Sequence, residues 1–285
     1  MVFVTSGPKD GYGFFGNTGH GGVIDLNLVF QGNVTGGNNT GALIGIAGSG
    51  TGVIDVSVKS RGNFIIGNNN VGGLIGFMGD GLVHTANPIM NSSSDFSVKA
   101  EQDNAGGLIG YVAFARMIDN SSASGSVEAR GINAGGLIGH LNHGNISNST
   151  ATGSVSSQKY AGAFIGYVSH PKIFDAYNPP AVLIEDSFAS GSVAPSGTFG
   201  RFFGGWDEGF KPTVVNSFYR NDEVDLTNFP DENWIYPGDD SEWEVESMPP
   251  PDEYNNNRII FWVIAMFALA VLLIAIDVYF RRNNG

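Results

Sequence analysis

The chain has 285 residues, enough for one large β domain with an appendage, and 42 of them are glycine, without the Gly-X-Y period of collagen. It has no cysteine, which excludes disulfides, thiolate metal sites and a cysteine nucleophile. The net charge of −13 sits mainly in residues 207–253, which carry 14 acids. The first 206 residues are close to neutral, so no nucleic-acid partner is expected.

The opening stretch, residues 1–13, lacks the basic and apolar regions of a signal peptide. Export would then need an incomplete or processed start, or post-translational insertion through the C-terminus. The stretch is also short for the cap that a solenoid end requires, so either a short edge strand covers the first repeat or the stack continues in another chain.

From residue 14 to 221 the chain repeats itself. An apolar pair followed by glycine occurs at Phe14-Phe15-Gly16, Leu43-Ile44-Gly45, Leu74-Ile75-Gly76, Leu108-Ile109-Gly110, Leu137-Ile138-Gly139, Phe164-Ile165-Gly166 and Phe202-Phe203-Gly204. Between these lie NSSASGSV (120–127), NSTATGSV (148–155), DSFASGSV (186–193) and their drifting relatives at 27–34, 57–64 and 91–98. Anchored on Asn27, Ser57, Asn91, Asn120, Asn148, Asp186 and a last partial copy at Asn216, each of the first six units runs 18 or 19 residues to its glycine, then a variable stretch to the next anchor. A rigid part and one variable loop per unit is how a solenoid accepts insertions.

Within the unit, Ala123, Gly125 and Val127 alternate with Ser122, Ser124 and Ser126, a period of two that predicts a strand with a small apolar inner face and a hydroxyl outer face. The apolar pair is a second strand. Its glycines suit left-handed turns and close backbone approach, and runs such as Thr35-Gly36-Gly37-Asn38-Asn39 mark corners. A unit of about 30 residues cannot bury its own apolar face, so copies must stack about 4.8 Å apart. The predicted fold is all-β, a parallel β-helix or β-solenoid of about seven rungs over residues 1–206. The anchor asparagines would form either an amide ladder or a run of separate turn caps.

The segment Ser169–Leu183 interrupts the pattern and is the candidate binding loop, with Lys172, Phe174 and Tyr177 as its contact residues. Residues 207–237 read as a C-terminal cap and 238–257 as an acidic, Pro-containing, self-repelling stalk. Ile259 to Phe280 is apolar on every face and long enough to span a bilayer as one α-helix. Arg281 and Arg282 follow it and mark the cytoplasmic side. Within the wider anchor segment 258–282, these features predict a single-pass protein with its large N-terminal domain extracellular or lumenal and its short C-terminus in the cytoplasm.

The chemical signals are sparse. Asn33, Asn38, Asn91, Asn120, Asn145 and Asn148 head N-x-S/T sequons, candidate glycan acceptors in an exported eukaryotic chain, although an asparagine packed in an inward ladder could not carry one. Asp25, Asp55, Asp119 and Glu185-Asp186 precede strands, where turn chemistry accounts for them better than the clustered acids of a polysaccharide-cleaving β-helix. His140 and His143 lack a third ligand nearby, and no G-x-S-x-G elbow occurs. No catalytic, cofactor or metal residue is assigned, and no cofactor is expected.

The GGLIG cores at 72–76, 106–110 and 135–139 resemble the GLUG motif, a repeat of bacterial surface proteins, some protease-linked regions and adhesin-like chains. The resemblance covers about 200 residues and implies a structural repeat with no catalytic residue to carry over. It points to a membrane-anchored adhesion or interaction module whose partner is a protein or glycan. The alternatives are a structural part of a larger assembly, such as a virion or appendage, that self-associates through the solenoid end, and a membrane-tethered glycan-active enzyme.

Overall fold

The computed structural model describes residues 5–6, 9–19, 21–48, 50–79, 88–169, 182–194, 198–200, 202–207 and 212–219. All belong to the first of two compact units, Met1–Asp239; the second, Asp240–Gly285, lies outside the described residues together with the predicted stalk and anchor. Among the described residues no helix is long and apolar enough to cross a membrane.

The described chain is a parallel β-solenoid. One turn runs through Met117–Asp119, Ser122–Ala123, Val127–Ala129, Ala134–Gly135 and Ile138–Leu141 before the next begins at Asn145. Like segments pair in parallel from turn to turn: Ile118 with Ile146, Val127 with Val155, Ala134 with Ala161 and Ile138 with Ile165. Three sheets of six strands result, with a fourth of twelve to which most turns contribute two short strands.

This makes about six turns where the triplets predict about seven. The end copies pair more thinly than the middle ones: in the first, Phe15–Thr18 pairs with Ile44–Ala47 but Tyr12 meets Thr40 only through an isolated bridge, and in the last, Phe203 and Trp206 meet Ile165 and Val168 through isolated bridges. Stacking also runs past residue 206, because Thr213–Val215 pairs with Leu183–Glu185 and Phe218–Tyr219 with Phe188–Ala189.

The core consists of columns of like residues. Leu43, Leu74, Leu108, Leu137 and Phe164 stack as one buried column, and Ile44, Ile75, Ile109, Ile138 and Ile165 as the next. Ala123, Gly125 and Val127 are buried and Ser124 and Ser126 exposed, as the alternation predicts, although the pattern bends round a corner between two sheets. The first turn leaves part of its apolar surface uncovered, with Phe14 38%, Phe15 36% and Ile24 63% exposed.

Glycine is needed here for space. A Cβ on Gly135 would lie 1.9 Å from the carbonyl oxygen of Ile138, where the chain folds tightly into the Leu-Ile strand. The triplet glycines do not take positive φ, contrary to the turn role expected of them. Asparagine and aspartate hold the left-handed corners instead, in two columns. One is Asn39, Asn70, Asn104 and Asn133 (φ 55 to 65°); the other is Asp25, Asp55, Asn91, Asn120, Asn148, Asp186 and Asn216 (φ 46 to 56°). Their short polar side chains tolerate this region better than other L residues do.

The second column corrects the sequence anchors. Asn91 stacks on Asp55, not on Ser57, and Ser57 pairs with Ser93. The first two anchors, Asn27 and Ser57, are therefore displaced by two residues from the true corners Asp25 and Asp55. The drift arises because residues 59–63 form a longer corner than Asp95-Phe96 do between the same two sheets.

Amide ladders do form. In the column not foreseen from the sequence, Asn70, Asn104 and Asn133 each donate Nδ2 to the Oδ1 of the asparagine one turn below, at 2.7 to 2.8 Å. In the anchor column, Asn120 donates to Asn91 and Asn91 to Asp55, but Asn148 donates to Asp119 instead, so that ladder breaks. Beside it runs a buried serine column. The hydroxyls of Ser92, Ser121, Ser149 and Ser187 each donate to the carbonyl two residues back. Each hydroxyl also accepts the backbone N–H of the turn below, which satisfies buried groups that would otherwise lack partners.

Candidate functional site

Insertions concentrate at one corner, where the chain leaves the Leu-Ile sheet. The path from that sheet to the next core isoleucine takes 4 residues between Leu141 and Ile146 but 15 between Val168 and Ile184. The residues before this corner point outward. In each Leu-Ile strand the third residue is half-buried on the outer surface, forming the column Ile46, Phe77, Tyr111, His140 and Tyr167.

These side chains touch in sequence. Ring centroids lie 5.3 Å apart for Phe77 and Tyr111, 4.7 Å for Tyr111 and His140, and 5.6 Å for His140 and Tyr167, which also meets Tyr160 at 4.6 Å. Polar groups line the corner beside them. His140 Nε2 is 2.7 Å from Ser169 Oγ, Ser169 donates to Asn142 Oδ1, and Asn142 Nδ2 donates to the Tyr111 hydroxyl at 2.8 Å. Tyr167 donates to Asp207 Oδ1 at 2.7 Å.

Burial lowers His140 to a pKa of about 4, with the Asp207 carboxylate pulling weakly the other way, so the imidazole is neutral near pH 7. Burial, and then the hydrogen bond to Asp207, raises Tyr167 above the ordinary phenol range. Burial also raises Tyr111, opposed by its bond to Asn142.

The sequence candidates fall elsewhere. Lys172, Phe174 and Tyr177 lie outside the described residues, as do Ile259, Phe280, Arg281 and Arg282. Among the sequon asparagines, Asn33, Asn91, Asn120, Asn145 and Asn148 are exposed and Asn38 is half-buried. Asn91, Asn120 and Asn148 commit Nδ2 to hydrogen bonds along the anchor corner, and Asn38 sits between Asp10 and Asn69. Asp25, Asp55 and Asp186 hold left-handed corners, which is turn chemistry. His143 stacks flat on Phe114 at 4.5 Å, away from the His140 chain of bonds. Among the described residues no group of three or more metal-ligating side chains occurs.

Sequence reasoning passed over the stripe, although its signal was present. The closing residue of the repeats VGGLIGF, AGGLIGY, AGGLIGH and AGAFIGY is always aromatic or histidine. What it could not supply was that Asn142 and Ser169, from successive turns, meet beside that column.

A family profile described as the GLUG motif matches residues 131–156, which span one corner, one Leu-Ile strand and the start of the next turn. Comparison with curated proteins and with solved structures gives no match. The class is thus a parallel β-solenoid that carries the GLUG repeat.

Proposed function

We propose that this chain is a membrane-anchored, surface-displayed, non-enzymatic interaction module. In this reading residues 259–280 hold it in the bilayer, Arg281 and Arg282 face the cytoplasm, and the solenoid stands on the opposite side to engage a protein or glycan. One observation carries the interaction role. Buried apolar and serine columns account for the inner side chains, while the outer face of the Leu-Ile sheet bears an in-register aromatic and polar stripe beside the insertion corner. Loops of varied length beside a fixed surface are the usual way a repeat scaffold acquires binding.

Protease treatment of intact cells making the full chain tests the topology. Cleavage of the N-terminal domain with protection of a C-terminal tag is expected; protection of both ends would overturn it. Pulldown with the full chain, with and without residues 169–183, tests the interaction role.

A second reading, a structural component that assembles through the solenoid end, is favoured by the exposed Phe14, Phe15 and Ile24 of the first turn. Light scattering of the detergent-solubilised chain separates the two. A monomer contradicts assembly, and an oligomer that Phe15→Asp dissolves supports it.

A further inference from the structure

We propose that the stripe is a subsite for a neutral glycan, with sugar rings lying against Tyr111 and Tyr167 and sugar hydroxyls meeting Tyr111, Asn142 and Ser169. The proposal rests on the interaction-module reading and names its ligand class.

The first support is a change of chemistry along one column. At Ile46 and Phe77 the outer column is purely apolar, which suffices to cover the sheet. From Tyr111 onward it becomes amphipathic, while the core behind it stays the same, Leu108 over Leu137 and Ile109 over Ile138. Packing of the core therefore does not demand the change. An aromatic body with a polar tip serves a ligand that is apolar on its ring faces and polar at its edges.

The second support is the direction of the hydrogen bonds. The chain runs from His140 through Ser169 and Asn142 to Tyr111, which enters it as an acceptor. The O–H of Tyr111 is the donor left at its outer end. Fixed donors and acceptors beside rings suit a ligand rich in hydroxyls, each of which both donates and accepts.

The third is charge. Asp207 supplies a carboxylate and buried His140 is neutral, while Lys159 is held over the Tyr160 ring, 4.7 Å from its centroid. Phosphate or sulfate recognition calls for paired cationic donors directed at the ligand, and these side chains do not provide them.

The test is isothermal titration of the full chain with cellohexaose, chitohexaose and maltohexaose, with heparin as the anionic control. Saturable binding of at least one neutral hexasaccharide is expected. Asn142→Ala and Tyr167→Ala should weaken it roughly tenfold or more, equivalent to about 1.4 kcal/mol. Tyr111→Phe, which removes the hydroxyl that accepts from Asn142 and donates outward, should weaken it less, by a few-fold, with any loss of melting temperature measured alongside to separate folding from binding. Binding of heparin alone, binding of no hexasaccharide, or binding untouched by both Asn142→Ala and Tyr111→Phe would overturn the proposal. If no hexasaccharide binds but a protein ligand is still captured and is lost on deletion of residues 169–183, the glycan assignment fails while the interaction-module reading stands.

Discussion

The first two full passes of the twelve-stranded sheet and the later ones solve the same corner differently. In the early turns one nine-residue strand, Gly21–Val29 or Thr51–Lys59, runs through the corner, and Leu26 or Val56 follows the left-handed aspartate. In the later turns the strand splits into two short pieces, and a buried serine follows the asparagine or aspartate. The serine hydroxyl then does what side-chain packing does for Val56: it fixes the corner, here by bonding its own turn and the turn below. The fold thus requires the left-handed corner and the inward direction of the next side chain, and it tolerates either an apolar or a hydrogen-bonded occupant.

Four perturbations would break or sharpen that contrast. The largest effect is expected in the core common to both regions. Leu137→Ala should cost about 2–5 kcal/mol, because a fully buried side chain with like residues above and below leaves a cavity that the stack cannot collapse. Chemical denaturation of the full chain measures it. Next is Ser149→Ala, which strips the Ser121 N–H of its acceptor and should cost about 1–3 kcal/mol. A neutral result would mean that the serine column merely fills space. Smaller still is Asn120→Ala, at about 1–2 kcal/mol for placing alanine at φ 46°, whereas Asn120→Gly should recover most of that loss.

The effect smallest near neutrality is the titration of His140. Its folded pKa of about 4 lies below the ordinary 6.5, so on acidification the unfolded chain takes up a proton first. Its contribution to stability is complete above about pH 6.5 and declines as the pH falls towards 4. Melting curves across that window should show a shallower decline for His140→Gln. An unchanged slope would place the imidazole in solvent.

Much of this was legible in the sequence. The Leu-Ile triplets and the alternation at 120–127 follow from burial and strand periodicity, and the structure has them, with its longest variable stretch after the Leu-Ile sheet and a second length change at residues 59–63. The register of the first two turns was not legible. NLVFQGNV and SVKSRGNF resemble the later signature at their ends, yet the left-handed residue that sets the register is Asp25 or Asp55, two places earlier. The Asn39-to-Asn133 ladder was missed because its members sit in corners that read as generic turns. The aromatic stripe was missed because contact between Asn142 and Tyr111 depends on the loop path around the corner, which no local pattern encodes.

The central claim is that successive turns lie in register with the left-handed residues superposed, and the absence of native cysteine allows a direct test. Ser57 and Ser93 pair across adjacent turns, with their hydroxyl oxygens 3.2 Å apart. Mild oxidation of Ser57→Cys/Ser93→Cys should close a disulfide rapidly and in full, since paired parallel strands hold Cα atoms within bridging range. Ser57→Cys/Asn91→Cys, which the displaced register would bring together, should stay reduced. Rapid closure of the second pair and not of the first would contradict the stacking described for this protein.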